Sequence, residues 1–269
     1  MQVDNATNAL APIMKPLSRR EILTTGSFLA ASMAASLTPS SSAAGVNQPA
    51  QAPKQKLKIV VTGGHPGDPE YGCGGTVARF TDQGHEATLL YLNRGDPTET
   101  PSDTRRFPRV DEAAKACEVL RAHPVFAGQI DGKAVVDAPH YEAFRQLLAA
   151  EKPDAVFTHW PIDNHADHRA MSMLVYDSWR HLGRAFALFY YEVSNGEDTM
   201  QFAPTDYLDI TEAEPRKRLA CFAHASQSPE RFYKLQEMVA RMRGIETGHQ
   251  YAEAFIRHIQ SPPFTLVPG

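Results

Sequence analysis

The stretch that decides the fold is Leu57-Lys58-Ile59-Val60-Val61-Thr62, which ends at Gly63 and Gly64. Short runs rich in β-branched residues and bounded by glycine are typical of buried strands. The turn that follows contains His65 and Asp68. In an α/β sheet, ligands bind beyond the carboxyl ends of the strands. This stretch therefore predicts a buried strand and, directly after it, one side of a functional site.

Strand and helix patterns alternate along the rest of the chain. We predict a helix at 74–83, a strand at 86–92, a helix at 109–120, a short strand at 125–127, a helix at 141–151, a strand at 155–159, a helix at 169–181 and a strand at 185–193. Beyond Glu212 the chain is predicted to be mostly helical, with 216–223 and 230–243 the clearest segments. Strands that alternate with helices of about ten to fifteen residues indicate βαβ units. The predicted fold class is α/β, a Rossmann-like three-layer fold with a mostly parallel central sheet.

The N-terminal segment has the features of an export signal. Arg19 and Arg20 precede a mildly apolar run, 22–37, which is shorter than the roughly 20 residues that a membrane-spanning helix needs. Small residues at 41–44 supply a cleavage site. We predict a twin-arginine signal peptide at 1–44, a linker at 45–56 and a single domain at 57–269, exported to the periplasm or secreted, with no stable membrane span after processing.

Composition excludes several classes of protein. The chain has 269 residues and a formal net charge of −4, so no basic surface predicts a nucleic-acid partner. Three scattered cysteines, Cys73, Cys117 and Cys221, are too few for a disulfide framework or a cysteine zinc site and are read as small buried residues. The expected partner is a small-molecule or glycan substrate, and the oligomeric state is left open.

Two clusters of potential metal ligands follow predicted strands. His65 and Asp68 are three residues apart on a turn, and His165 and His168 have the same spacing at the start of a helix. Zinc ions that catalyse hydrolysis take three ligands from histidine and carboxylate side chains and keep one position for water. The first pair, completed by one or both histidines of the second, meets that requirement. His159, at the end of its strand, is interpreted as structural rather than as a ligand.

Both clusters resemble the motifs of the zinc-dependent PIG-L/LmbE-type N-acetylglucosaminyl deacetylases. The first motif of that family is His-Pro-Asp-Asp followed by Glu, here 65–68 with Glu70, and the second is His-x-Asp-His, here 165–168. Supporting similarities are Gly72-Cys73-Gly74-Gly75-Thr76, Asn93-Arg94-Gly95-Asp96, Arg109-x-x-Glu112, His224-x-Ser226-Gln227 and Tyr251-Ala252-Glu253-Ala254-Phe255.

The resemblance implies a role for each matching residue. His65, Asp68 and His168 would bind one zinc ion per chain, although such ligands also suit other divalent transition metals. His165 would polarise the substrate carbonyl or stabilise the oxyanion, and Asp167 would orient the His165 imidazole. The implied reaction is hydrolysis of the N-acetyl group of an amino sugar or glycoconjugate.

Two further residues are candidates for contacting substrate. The resemblance makes Arg109 a candidate for binding the sugar or an attached anionic group. Trp160, beside the second motif, offers a ring that stacks on a sugar face, with core or rim packing as the alternative.

One departure from the family pattern changes the expected chemistry. The aspartate that serves as general base in the family is Gly67 here, and general-base assistance contributes about 10²–10⁴-fold in rate. Asp163 is the first candidate substitute and Glu70 the second.

The departure also motivates an alternative, a non-catalytic, metal-stabilised sugar-binding protein of the same fold. Hydrolysis of another amide is a further possibility, since substrate choice depends on loops. A nicotinamide-dependent oxidoreductase is disfavoured, because His65 and Asp68 occupy the turn where Gly-x-Gly-x-x-Gly would bind phosphate.

Overall fold

A seven-stranded sheet organises the chain in a computed structural model, which describes residues 56–98, 107–194 and 198–266. The strands are β1 (Lys58–Gly63), β2 (Glu86–Asn93), β3 (His123–Gln129), β4 (Ala155–His159), β5 (Ala187–Tyr191), β6 (Asp206–Asp209) and β7 (Ala252–Arg257). The helices are α1 (Asp68–Asp82), α2 (Pro108–Leu120), α3 (Ala138–Glu151), α4 (Ala166–His181), α5 (Glu214–Phe222) and α6 (Pro229–Thr247), with a 3-10 turn at Ala225–Gln227.

The strand order is β3-β2-β1-β4-β5-β7-β6. The first five strands pair in parallel, and β7 runs antiparallel to both β5 and β6. One buried core lies between the sheet and α1, α2 and α5, and a second lies between the opposite face and α3 and α4. The predicted three-layer α/β fold with a mostly parallel sheet is confirmed.

Two strands were missed by the sequence reading. The prediction of a mostly helical chain beyond Glu212 holds for α5 and α6 but is wrong for β7. β6 and β7 are short antiparallel strands, and neither carries the long apolar run that marks the parallel strands. Their hydrogen-bonding partners decide their conformation more than their own residues do.

Helix α1 begins earlier than predicted, at Asp68 rather than Gly74. Glycine lowers helix propensity by about 1 kcal/mol relative to alanine, which made the segment read as a turn. Packing reverses that preference, because a Cβ atom on Gly72 would lie 2.3 Å from the Tyr191 ring and one on Gly75 would lie 2.7 Å from Ile210. The glycines let α1 approach its neighbours closely, and Asp68 thereby becomes a first-turn residue of a helix.

The sheet places both clusters at one point. β1 pairs with β2 on one side and with β4 on the other, so the strand order reverses between β1 and β4. In open α/β sheets the crevice for ligands forms at such a reversal, beyond the carboxyl ends of the strands. His65 follows β1, and His165 and His168 follow β4, so the two motifs meet there.

The N-terminal predictions concern residues that the structure does not describe. The predicted signal peptide (1–44) and all but the last residue of the predicted linker (45–56) lie outside the described residues. Within the described part, no helix combines the length and apolar character needed to cross a membrane. Cys73, Cys117 and Cys221 are buried and free.

Candidate metal centre

The first motif forms a tight turn between β1 and α1. Gly67 is the N-cap of α1 with φ +113° and ψ −39°, a backbone conformation that L side chains rarely adopt. The backbone N–H of His65 donates to the carboxylate of Asp68 at 2.8 Å, and the N–H of Asp68 donates to the His65 carbonyl at 3.2 Å. The glycine thus has a backbone role, since it lets the chain turn so that His65 and Asp68 face one another.

The second motif lies at the start of α4. His165 is the N-cap residue, and its Nδ1 accepts a hydrogen bond from the backbone N–H of Asp167 at 3.2 Å. His168 is one turn further along the helix and is almost fully buried. The i, i+3 spacing puts His165 and His168 on one side of the helix, with ring centroids 4.9 Å apart.

The three predicted ligands converge on one carboxylate oxygen. Oδ2 of Asp68 lies 3.2 Å from Nδ1 of His65 and 3.2 Å from Nε2 of His168. Donor atoms of a tetrahedral zinc site are about 3.3–3.4 Å apart when the bonds are about 2.0–2.1 Å. Among the described residues, the groups spaced to hold a cation are His65/His165/His168, Asp68/His159/His168 and His65/Asp131/Asp167. These imidazole and carboxylate donors suit a divalent transition metal. His65 and His168 belong to the first group and Asp68 and His168 to the second, so no single group contains all three predicted ligands.

Asp68 and His168 each stabilise the charged form of the other. Burial favours the neutral form of Asp68, but the positive charge of His168 and hydrogen bonding from His168 and His65 hold its pKa well below the usual value. Burial opposes protonation of His168 as well, yet the charge of Asp68 and the contact with Asp163 raise its pKa to about 9. The pocket is therefore strongly attractive to a cation that replaces the imidazole protons.

His159 completes the wall behind the ligands. Its Nε2 accepts a hydrogen bond from the backbone N–H of Gly64 at 3.0 Å, and its ring stacks on His168 with centroids 3.9 Å apart. Burial and the nearby charge of His168 lower the pKa of His159 to about 4, so the ring is neutral. This contact occupies the nitrogen nearest Asp68, which agrees with a structural reading of His159.

Asp163 lies behind His168 rather than in the pocket. Its Oδ1 is 3.1 Å from Nδ1 of His168 and accepts a hydrogen bond from the backbone N–H of His165 at 2.8 Å. Its Oδ2 accepts a hydrogen bond from the Thr199 hydroxyl at 3.1 Å. A carboxylate held in this way directs Nε2 of His168 towards Asp68. This geometry disfavours Asp163 as the substitute general base, because both oxygens are engaged away from the cavity.

Glu70, the second candidate base, is also engaged elsewhere. It is fully buried and accepts hydrogen bonds from the Gly67 backbone N–H at 3.2 Å and from the Tyr91 hydroxyl at 2.8 Å. Nε2 of His224 lies 2.9 Å from the same carboxylate. Glu70 thus caps α1 and braces the turn, and it is not exposed to the pocket.

His165 and Asp167 interact differently from the expectation. A backbone N–H can only donate, so the bond from Asp167 makes Nδ1 of His165 the acceptor and leaves the ring proton on Nε2. Burial and the charges of His65 and His168 lower the pKa of His165, which keeps the ring neutral. The Asp167 carboxylate instead lies 3.2 Å from Nε2 of His65 and accepts hydrogen bonds from Asn93 and the Gly132 N–H. Asp167 orients His165 through its backbone and His65 through its carboxylate.

The two predicted substrate-binding residues have separate positions. Arg109 lines the pocket, where its guanidinium donates to the carbonyls of Pro66 at 2.8 Å and Gly95 at 3.2 Å. It therefore braces the turn of the first motif. Trp160 does not line the pocket, since its ring packs edge-on against Tyr190 and Phe202. Packing, the alternative reading of Trp160, agrees with its position, and the sugar-stacking role does not.

A pocket of about 240 Å³ opens over these residues. The charged and imidazole side chains that line it are His65, Asp68, Arg109, Asp131, His165, His168, Asp198 and His224. Sequence reasoning did not single out Asp131 or Asp198 and placed His224 only within a supporting segment. Asp131 lies 3.1 Å from Nε2 of His65. Burial raises the pKa of Asp198 to about 6.

A known family model covers both motifs. The family model of PIG-L, described as GlcNAc-PI de-N-acetylase, matches residues 60–179, a span that runs from β1 to α4 and includes both motifs. Over these residues the chain matches the PIG-L family. Within the PIG-L match lie all three predicted ligands together with Asp163, His165 and Asp167, whereas Asp198 and His224 fall beyond it.

Relatives share the fold over most of their length. The diacetylchitobiose deacetylase of Thermococcus kodakarensis is 24% identical over 219 residues, which cover 73% of this chain and 81% of that protein. The structure of the conserved protein TT1542 from Thermus thermophilus is 28% identical with a TM-score of 0.66, covering 78% of this chain and 97% of that one. GalB, the 4-carboxy-2-hydroxymuconate hydratase from Pseudomonas putida, has the same fold at 20% identity and a TM-score of 0.65, covering 78% of this chain and 98% of its own. The PIG-L fold alone therefore does not decide which reaction is catalysed.

Proposed function

We propose that this protein is a zinc-dependent hydrolase that removes the N-acetyl group from an N-acetylated amino sugar or glycoconjugate. The observation that carries the proposal is the convergence of His65 and His168 on Asp68, with His165 at the edge of the same pocket. A hydrolytic zinc site typically has three protein ligands, and a neighbouring imidazole can stabilise the negative charge that develops on the substrate oxygen.

Each side chain of the site has a task in amide hydrolysis. When bound, zinc polarises the substrate carbonyl and lowers the pKa of water. His165, neutral and with its proton on Nε2, donates a hydrogen bond to the carbonyl oxygen as negative charge develops there. Asp163 and Asp167 hold His168 and His65 in position, the role that carboxylates behind metal-binding histidines have in many sites.

The proposed substrate class is supported by similarity to proteins that are described as deacetylases. Two matches, one to a GlcNAc-PI de-N-acetylase model and one to a diacetylchitobiose deacetylase, favour N-acetylated sugars. The hydratase GalB shows that the same fold also serves a different reaction. Histidine and carboxylate ligands favour amide hydrolysis in this chain, because they would hold a Lewis-acidic ion beside a hydrogen-bond donor.

Metal analysis and product release test the proposal together. The purified mature chain should contain about one zinc ion, which the His65→Ala and His168→Ala variants should lose. Incubated with N-acetylglucosamine or N,N′-diacetylchitobiose, the zinc-loaded protein should release acetate, and His165→Ala should keep zinc but lose turnover. Zinc binding without acetate release from either sugar would instead favour the non-catalytic sugar-binding protein.

Export by the twin-arginine route is part of the proposal. Arg19 and Arg20 precede the apolar run in the order that the export receptor reads. Replacing both with lysine should leave the precursor in the cytoplasm of a bacterial host, whereas the unaltered chain should be recovered outside it. Equal export of both forms would remove the twin-arginine assignment.

A further inference from the structure

The pocket contains a carboxylate that the roles above do not use. Asp198 lines the cavity together with Gly67, Asp68 and His168. Its side chain makes no hydrogen bond or ion pair with any other residue that the structure describes. The other acids of the pocket are engaged, since Asp68 lies among three imidazoles and Asp131 contacts His65. Asp198 is therefore the acid of this pocket that is available to a substrate or a water molecule.

The backbone holds Asp198 beside the second motif. Its carbonyl accepts a hydrogen bond from the N–H of Asn164 at 2.7 Å, and the next residue, Thr199, forms a β-bridge with Asp163. The N–H of Thr199 donates to the carbonyl of Val193 at 3.2 Å. These backbone contacts hold Asp198 and Thr199 beside the second motif. The position of Asp198 thus depends on the same residues that position His168.

The surroundings of Asp198 suit a group that exchanges protons near neutral pH. Burial raises its pKa to about 6; Asp68 and Asp163 add to the increase, and His168 and His65 oppose it. Arg109, Asp131, His165 and His224 are the other ionisable groups of the pocket wall apart from Tyr71. A carboxylate with a pKa slightly below the working pH is ionised yet basic enough to accept a proton.

We propose that Asp198 is the general base of this chain, in place of the acid that the family carries at the position of Gly67. The inference rests on the proposed deacetylation. The Asp198 carboxylate takes one proton from water while the water oxygen forms its bond to the acyl carbon. The resulting carboxyl group then gives that proton to the nitrogen as the C–N bond breaks. The products are the free amine and acetic acid, which ionises in solvent, and Asp198 returns to its carboxylate form.

Removing the carboxylate tests the assignment. In the zinc-loaded protein, with N,N′-diacetylchitobiose as probe and free amine as readout, Asp198→Ala should lower kcat by about 10²–10⁴-fold. Added formate, a small carboxylate that fits the vacated space, should restore part of the rate to Asp198→Ala and none to Asp198→Asn. The acid limb of kcat/KM should disappear from the residual activity of both variants. The control Asp206→Ala removes an acid on β6, outside the pocket, and should leave the rate unchanged.

Zinc affinity provides a readout that does not depend on turnover. Measured by competition with a chelator, the affinity of Asp198→Asn should fall by less than the about 10-fold expected of a residue that supports metal binding. A larger loss would place Asp198 in the metal shell and overturn its assignment as base. Turnover by the wild type together with undiminished turnover by Asp198→Ala would overturn this inference alone. No acetate release by the wild type would overturn the proposed function and this inference with it.

Discussion

Replacing Asp163 by asparagine distinguishes a residue that positions a ligand from one that accepts a proton. The amide oxygen can occupy the place of Oδ1, where it keeps the hydrogen bond from the His165 N–H, and the amide nitrogen then faces the Thr199 hydroxyl, which can accept. The change therefore preserves the local hydrogen bonding and removes the negative charge 3.1 Å from Nδ1 of His168. We expect zinc affinity to decrease and the fold to persist.

The expected size of the effect follows from that geometry. Residues that orient metal-binding histidines contribute about 10–100-fold to metal affinity, which corresponds to about 1.4–2.8 kcal/mol. Asp163→Asn keeps an oxygen near the imidazole and should lie at the lower end, about 10-fold. Asp163→Ala, which removes the partner of Nδ1 entirely, should lie near the upper end, about 100-fold.

Chelator competition measures the zinc dissociation constant, and acetate release at saturating zinc measures turnover. Thr199→Val is the matched control, because it removes the hydroxyl that contacts Asp163 but leaves the carboxylate beside His168. Its zinc affinity should fall less than that of Asp163→Ala. An Asp163→Asn variant that binds zinc as tightly as the wild type but has lost turnover would refute the reasoning. That result would instead make Asp163 the base that its sequence position first suggested.

Three other predictions concern stability and the backbone. Glu253→Gln should cost about 3–5 kcal/mol in the free energy of unfolding measured with denaturant, because it leaves the buried Lys217 ammonium without its partner. The control Glu237→Gln, which breaks a partly solvent-exposed pair with Arg241, should cost less than about 1 kcal/mol. Gly67→Asp should lower the free energy of unfolding by about 1–3 kcal/mol, because its φ is positive, and should also bind zinc more weakly. The control Gly84→Asp, with φ +83° but far from the site, should show only the loss of stability. Tighter zinc binding by Gly67→Asp would contradict the backbone role. Burial favours the neutral form of Glu151, but hydrogen bonding from Lys58 and Thr88 outweighs this effect and lowers its pKa. The difference in the free energy of unfolding between wild type and Glu151→Gln should therefore be fully present above the ordinary pKa of 4.5 and shrink as the pH falls through the lower pKa of the folded state. A difference that grows in acid would contradict a lowered pKa.

The structure changes the meaning of the departure at Gly67. From the sequence, glycine at this position signified a missing base and a weakened enzyme. The positive φ shows that the turn has a conformation in which aspartate would be strained, and a Cβ atom there would meet only ordinary contacts with the Tyr71 ring. The backbone, rather than lack of space, therefore selects glycine. A base in this chain has to come from another part of the pocket.

The sequence by itself determined the fold class and the two motifs. β-Branched runs such as the one at β1 have few conformations open to them, and the spacing of His65 from Asp68 and of His165 from His168 fixes which side chains share a turn. These are local properties, readable within about ten residues of chain. They were sufficient to place each cluster at the carboxyl end of a predicted strand.

Only the tertiary structure decided what surrounds those clusters. Asp131 follows β3 and Asp198 follows β5, so no short-range pattern connects either of them with His65. The local sequence also did not show where the side chains of Asp163 and Trp160 lie. Both residues are close to the second motif in sequence, but Asp163 contacts the buried His168 and Trp160 packs against Tyr190, and neither lines the pocket. The physical reason is that a parallel sheet brings loops from distant strands to one edge, and the packing of those loops determines which side chains reach the cavity.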